Sequence, residues 1–325
     1  MTLGEALQSN RSRNLDVLRL CLAIAVIFSH AWPLTLGPGA SEPLEDWTGR
    51  ALGGWAVGVF FFISGLLITG SAERKSAKLF WSARAHRIVP GLLVALLVTL
   101  VLALASGSTA SVSEAVAWFV RAGTLVSIEH RLTGAFATNP FPEVVNGPLW
   151  SLFHEVVAYI VCALFVWSGG TRSPKAVLAF VALAAVAAIA QGVLPGRVAT
   201  FAPLFAAFAL GMVAHVWRDQ ISLAPATLAF SLAVALVLPW SLAMGAVGLG
   251  LVVLALRAPL LQLRGDVSYG MYIYGWPVTQ ALVAVNPGID PLALGVLSVL
   301  ATFPLAWMSW ICVERPGLAI RRAPV

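Results

Sequence analysis

An all-α, polytopic bundle of about ten membrane-spanning helices is the fold class the sequence predicts, and three observations predict it. Of 325 residues, 59% are hydrophobic and only 10% are charged, against about 25% charged in a soluble domain. The mean hydropathy is +0.89, so the solvent must be lipid. The apolar residues fall in repeated runs of roughly 17–23, the length a helix needs to cross a ~30 Å hydrocarbon core. Lipid offers no partner to backbone N–H and C=O groups, so each run closes its own hydrogen bonds as a helix. None shows the period-2 alternation of a transmembrane strand.

In order, the spans are read at about 15–36, 53–70, 88–106, 148–168, 175–191, 200–217, 222–238, 240–256, 267–285 and 291–313. The first contains Arg19, lacks a small-residue cleavage site and is followed by runs of equal length, so it reads as a retained span. The second, VFFFISGLLIT at residues 59–69, carries Ser64-Gly65, small residues that suit a close helix crossing. The third opens on RAHRIVP, residues 84–90, and the fourth on the turn Asn146-Gly147-Pro148. In the ninth, Gly270, Gly275 and Pro277 loosen the helix. Segment 113–128 is too short and polar for an eleventh span and reads as an interfacial or re-entrant helix. Residues 1–325 read as one integral membrane domain with no attached soluble domain.

Loop charges give the orientation. With the N-terminus inside, fifteen basic residues face the cytoplasm: Arg11, Arg13, Arg74, Lys75, Lys78, Arg84, Arg87, Arg172, Lys175, Arg218, Arg257, Arg264, Arg315, Arg321 and Arg322. Only Arg50, Arg121, Arg131 and Arg197 face out, with Glu42, Glu45, Asp46, Glu129, Glu143 and Asp290. Both termini are therefore expected in the cytoplasm. The net charge of +6 describes topology and contact with anionic lipid, and gives no reason to invoke nucleic acid. Cys21, Cys162 and Cys312 are far apart within apolar runs and form neither a disulfide framework nor a metal-ligand spacing.

Four places hold candidate chemistry. Arg19 and His30 are eleven residues apart, which at 100° per residue is about 20° from three full turns, so they share a helix face over a ~16 Å rise. Asp16 is placed to pair with Arg19. The bland alternative is an arginine and a histidine reaching the two interfaces; a shared face instead favours a wet cavity, because ionisable groups in a span face the bundle interior. Arg84 and Arg87, at i and i+3, suit an anion such as phosphate, or serve only as a topology signal. Ser151, Glu155 and Tyr159 form a polar stripe at i, i+4 and i+8, with Glu155 about 10 Å deep, while His154 points elsewhere. Such an acid is costly unless paired, and a structural hydrogen bond is the alternative reading. Tyr269, Tyr272 and Trp276 form an aromatic stripe, either packing or a binding surface. None of the local nucleotide, zinc or nucleophile-elbow signatures occurs.

In this order the residues resemble the acyltransferase-3 family of integral membrane O-acyltransferases. The resemblance is carried by Asp16-x-x-Arg19-x10-His30, FFFISGLLIT at 60–69, Arg84-x-x-Arg87 with Pro90, Trp150-Ser151-Leu152-x-x-Glu155 with Tyr159, Ser268-Tyr269-Gly270-x-Tyr272, and Glu314-Arg315-Pro316. It implies that an acyl group, usually acetyl, moves from cytoplasmic acyl-CoA to a hydroxyl of an extracytoplasmic carbohydrate or glycolipid. The location implied is the inner, or plasma, membrane. By position, Arg19 and His30 match the family's arginine-histidine pair, and Arg84 and Arg87 its inner double arginine. His30 is then the general base or, alternatively, the acyl carrier. Arg19 contacts the donor or the charge developing on the thioester. Glu155 orients His30 or binds acceptor hydroxyls. Asp16, Trp150, Ser151, Tyr159 and Tyr272 are substrate-binding candidates. Acyl-CoA is a donor substrate, with no permanently bound cofactor and no metal. The resemblance implies histidine in many relatives where this chain has Gly275, a departure in the ninth span, and without the longer C-terminus of relatives bearing an outer hydrolase-like domain the chain is expected to act as a one-chain enzyme. A proton-coupled transporter or flippase is the rival reading of the same charged residues.

Overall fold

The computed structural model describes residues 1–125, 130–261 and 263–320. Glu129, Arg321, Arg322 and the end of segment 113–128 lie outside the described residues. Among the described residues there are helices and loops but no strand. The chain begins with a short helix α1 (Leu3–Gln8) and a single 3₁₀ turn (Asn10–Arg13), then α2 (Asn14–Leu36). There follow α3 (Pro43–Thr48), α4 (Leu52–Arg74), α5 (Ala77–Ala105) and α6 (Val112–Gly123). The second half holds α7 (Leu149–Trp167), α8 (Pro174–Ile189), α9 (Gly196–Val216), α10 (Pro225–Val237) and α11 (Trp240–Arg257). It ends with α12 (Ser268–Val285), α13 (Pro291–Ser309) and, after a π-helical turn, α14 (Arg315–Ile320).

Each predicted span has a helix. Eight described helical stretches are long and apolar enough to cross a membrane. The other two are α10, with 13 residues confined by Pro225 and Pro239, and α12, with 18 residues diluted by Ser268, Thr279 and Gln280. At 1.5 Å per residue α10 reaches only ~20 Å; it packs beside α11. The third span differs from its expected start. Helix α5 begins at Ala77, because Ser76 has the extended backbone of an N-cap residue and nothing in 77–87 breaks a helix. Its 29 residues extend ~44 Å, more than the hydrocarbon core, so the turns bearing Arg84 and Arg87 are part of the span's own helix. Helix α6 has 12 residues, with Trp118 and Ala122 buried and Val112, Val116 and Val120 exposed. That is an amphipathic helix too short to span.

Helices α4 and α9 form the centre of the bundle, where Ser64-Gly65 does what the sequence predicts. A Cβ on Gly65 would lie 1.9 Å from the Phe208 carbonyl oxygen, and one on Gly211 would lie 2.1 Å from that of Phe62. The two glycines face each other's backbone, so the crossing tolerates only hydrogen at both. Helices α2, α7 and α11 pack on α4, and α8 and α11 on α9, while α12 joins this centre through α2. The outer faces of α5, α8 and α13 carry exposed Leu97, Val101, Leu183, Val186, Leu300 and Phe303, a lipid-facing surface.

Both described ends of the chain lie at one end of the bundle. Leu3 N–H donates to the Ile221 carbonyl at 2.8 Å, and Asn14 donates to the carbonyls of Ala255 and Pro259. Glu314 meets Arg87 there. This arginine-rich end is called inner below. At the outer end, the loop before α7 folds over α12. Gln280 donates to the Phe141 and Val144 carbonyls, Trp276 donates to Val144, and Asn146 donates to the Ile273 carbonyl.

The glycine crossing generates a stability test. Gly65→Leu would force α4 and α9 apart, at a cost of about 1–3 kcal/mol or more for overpacking. A lower thermal midpoint in detergent and loss of the monodisperse elution peak are expected. Leu97→Ala, on the lipid face, is expected to leave both unchanged.

Candidate active site

Two chambers are stacked along α2, one toward each end of the bundle. The inner chamber encloses about 440 Å³ and is lined by Arg19, Ser64, Arg84, Arg87, Glu155 and Tyr159, with Phe60, Phe61 and Ile68 as its apolar floor. The outer chamber encloses about 230 Å³ and is lined by His30, Ser29, Glu42, Arg50 and Trp150. Val57 and Tyr272 line both. Arg19 and His30 therefore share a helix and a side of the bundle, but each has its own chamber.

The wall between them is held by a defined contact. The Tyr272 hydroxyl lies 2.6 Å from Ser151 Oγ, and Phe60 meets the Tyr272 ring edge to face at 5.9 Å. Ser151 in turn donates to the Pro148 carbonyl at 3.0 Å. The aromatic stripe of α12 is thus divided. Tyr269 donates to the Ile88 carbonyl at 2.8 Å, Tyr272 forms the partition, and Trp276 packs against His30 with ring centroids 4.9 Å apart. At Gly275, where the family resemblance implies a histidine in many relatives, a Cβ would already meet Ile27 at 2.7 Å. The close approach of α12 to α2 takes the space that side chain would need.

In the inner chamber, Arg19 pairs with Asp16 at 3.3 Å, as its i,i+3 spacing predicts. Glu155 accepts from Ser64 at 3.2 Å and from the Tyr159 hydroxyl. The stripe Ser151, Glu155, Tyr159 does face a cavity, but Glu155 points to α4 and the inner chamber. It makes no hydrogen bond to His30, so the orienting role considered for it has no geometric basis here. His154 faces away, bonding the Trp150 carbonyl at 2.8 Å and stacking on Phe201. Arg84 lies over the Phe80 and Tyr159 rings at 5.7 and 6.0 Å.

Arg87 is engaged by two carboxylates, Asp266 at 2.7 Å and Glu314 at 3.4 Å. Ser268 supports Asp266 at 2.6 Å, and Ser309 supports Glu314 at 3.1 Å. Burial works against the charge on Asp266, but the Arg87 and Arg19 guanidiniums and the Ser268 hydrogen bonds hold its carboxyl below the ordinary range.

His30 is half-buried, and its ring makes no hydrogen bond to any described residue. The outer loop supplies its neighbours. Glu42 is only 4% exposed and accepts from Leu52 N–H. Burial pushes its carboxyl above the ordinary range, against a hydrogen bond from Ser29. Arg50 lies over the Trp240 ring at 4.4 Å. The sequence reading took Glu42 and Arg50 only as outer loop charges. A weak signal was available: Glu42 lies ten residues before the start of α4, close enough in sequence to fold back on it.

Comparison with known proteins places this architecture in a class. The acyltransferase-3 family model, described as an acyltransferase domain, matches residues 12–311. The chain belongs to that family and is a multi-pass membrane acyltransferase. It is 29% identical to nodulation protein 10 of Rhizobium leguminosarum bv. viciae over 98% of this chain and 96% of that protein. It is 27% identical to an O-acetyl transferase of Shigella phage Sf6 over 94% of this chain and 96% of that protein. No solved structure matches significantly. The family is enzymatic, which sets the carrier reading aside.

The arginine clamp yields a test of stability against pH. Asp266→Asn removes one of two partners of a mostly buried guanidinium, at a cost of about 3 kcal/mol. Because the folded carboxyl titrates below its ordinary value of 3.8, its stabilisation is complete above that value. It is lost as pH falls through the folded value. The wild-type unfolding midpoint in detergent is expected to drop in that acid window, and the variant, already lower at pH 7, to show a shallower drop.

Proposed function

We propose that this protein is an O-acetyltransferase that takes acetyl from acyl-CoA at the inner, cytoplasmic end and delivers it to a hydroxyl of a carbohydrate or glycolipid at the outer end. The proposed location is the cell inner membrane. The observation that carries the reading is the pair of chambers meeting at Tyr272, a basic one inward and one holding His30 outward. The name of the phage relative, an O-acetyl transferase, supports the acetyl group and the oxygen acceptor.

On this reading the donor's diphosphate stays at the basic mouth near Arg74 and Arg84, where guanidiniums recognise phosphate through paired N–H donors, backed by Arg87, whose guanidinium is itself shared with Asp266 and Glu314. The uncharged pantetheine arm and thioester extend over Phe60 and Phe61 toward the partition. Glu155, Ser64 and Tyr159 offer polar partners to the arm's amides. The acceptor enters the outer chamber, where Trp150 offers a ring face and Glu42 and Arg50 offer hydrogen bonds to neighbouring hydroxyls. His30 removes the acceptor hydroxyl proton, since a neutral imidazole suits proton abstraction near neutral pH. The alkoxide attacks the thioester carbonyl. The tetrahedral intermediate collapses with loss of the CoA thiolate, which takes up the proton. Arg19 stabilises negative charge on the donor side. For the two reactants to meet, the Tyr272 side chain must leave Ser151.

Three measurements test this. Purified protein in detergent is expected to release CoA from labelled acetyl-CoA and to label a co-supplied acceptor; neither event would remove the reading. His30→Ala is expected to keep its elution profile and lose about 10²–10⁴ in transfer rate; wild-type transfer would exclude His30 as base and as carrier. Arg84→Lys with Arg87→Lys keeps the charges that set topology but removes the planar forks, so acetyl-CoA affinity is expected to fall. Unchanged affinity would leave Arg84 a topology signal and Arg87 only the tie to Asp266 and Glu314.

A further inference from the structure

A third cavity lies beside the inner chamber and is not used by the reaction as described. It encloses about 500 Å³ at the inner end. Four guanidiniums line it, those of Arg13, Arg19, Arg74 and Arg218, with the imidazole of His215 and a single carboxylate, Asp16. Asp16 is taken by Arg19 at 3.3 Å. Arg218 donates to the His215 carbonyl at 2.8 Å and lies 3.1 Å from the His215 ring Nε2; the carboxylate it meets among the described residues is the mostly exposed Asp219, at 4.0 Å. Glu73 is turned to His215 at 3.0 Å. Among the described residues neither Arg13 nor Arg74 forms an ion pair. The walls therefore hold an excess of cationic donors, which favours a phosphate-bearing ligand.

One wall is a deliberately placed segment. Helix α1 docks through backbone bonds, Leu3 N–H to the Ile221 carbonyl at 2.8 Å and Gly4 N–H to that of Arg218 at 2.9 Å, while Leu223 N–H donates to the Met1 carbonyl at 3.1 Å. Leu3 is fully buried. Thr2 and Glu5 cap the helix reciprocally. This docking sets Gln8, Ser12 and Arg13 across the cavity from Arg74 and His215. Gly70 keeps it open, since a Cβ there would meet His215 at 2.5 Å and Arg74 at 2.9 Å.

Arg19, Leu67 and Arg74 are walls of this basin and of the inner chamber alike. A ligand occupying both would pass beside Arg74. We infer that the basin binds the phosphorylated nucleotide end of the acyl-CoA donor. Its terminal phosphate lies among Arg13, Arg74 and Arg218, the diphosphate sits at the Arg74 junction, and the arm runs on into the inner chamber. This rests on the donor being acyl-CoA. An anionic lipid headgroup offers the same chemistry, and the test separates the two.

Acetyl-CoA and S-acetylpantetheine, which has the arm and thioester without the nucleotide, are titrated by calorimetry into wild type, Arg13→Gln and Arg218→Gln in uncharged detergent. Wild type is expected to prefer acetyl-CoA, and each substitution to cut that preference about tenfold, the usual loss for one charge-assisted hydrogen bond. Arg13→Lys is expected to restore part of it. Thermal midpoints identify any variant that is misfolded, and for such a variant the preference of Arg13→Lys decides instead. Wild type that binds no acetyl-CoA would overturn the donor reading itself. Wild type that binds it with a preference the variants retain would overturn the basin and leave the donor reading standing. If the variants retain that preference but lose co-purifying phosphatidylglycerol, the basin is a headgroup site and the inference fails.

Discussion

The inner end of the molecule depends on one constraint: a guanidinium held at the end of a membrane span must be paired. Arg87 on α5 meets Asp266, just before α12, and Glu314, just after α13. Removing either partner alone leaves charge poorly compensated in a low-dielectric site. The clamp therefore fixes three elements against each other. Because α12 is fixed at its first turn, Tyr269 and Tyr272 have defined positions, and so does the partition. The arginine that carries the family resemblance is at once a wall of the inner chamber and the tie that aligns it.

The partition follows from that alignment. It consists of one aromatic ring, one hydroxyl pair and Val57, with Phe60 packed on its inner side. Both chambers have polar linings, and the neck between them is apolar apart from the Tyr272 and Ser151 hydroxyls, which satisfy each other. Separate polar pockets in lipid require that the costly buried carboxylates, above all, be matched within their own end. Glu155 with Ser64 and Tyr159 does this inside. Glu42 with Leu52 N–H and Ser29 does it outside.

Much of this was legible because membrane helices announce themselves by length and composition. A helix at each of the ten expected positions was, although only eight described stretches are long and apolar enough to cross a membrane, and so was the face shared by Arg19 and His30, because both signals are local and periodic. The crossing at Gly65 was legible on one helix, but its counterpart Gly211 lies 146 positions on (211 minus 65) and has no local mark. Arg87 looked like one of a free pair because its partners are 179 and 227 residues away in sequence. The division of one expected cavity into two depends on Tyr272 and Ser151, 121 residues apart. The docking of α1 escaped for a different reason. Its backbone bonds leave no side-chain pattern, although Thr2-x-x-Glu5 is a capping box and marks a helix start. Local rules read what a helix presents and not what it meets.

The two-chamber arrangement also bears on why the acceptor end is so small. On the proposed reaction, the donor is large, anionic and confined to one side, whereas the acceptor need present only one hydroxyl. The volumes follow that asymmetry: about 440 Å³ plus a 500 Å³ basin inside, and about 230 Å³ outside. A shared cavity of the combined size would admit water to the thioester from both faces. Water held there would compete with the acceptor as nucleophile, and exclusion of water is a general requirement of a site that handles a reactive acyl group. A single tyrosine ring is the smallest element that can keep the chambers apart and still move. Displacing one side chain costs far less than rearranging helices whose crossing leaves no room for a methyl group. On the proposed reaction the close α4–α9 centre and the partition at its edge are complementary: the helices would hold the two reactants in register across the membrane, and displacement of the Tyr272 ring from Ser151 would let them meet.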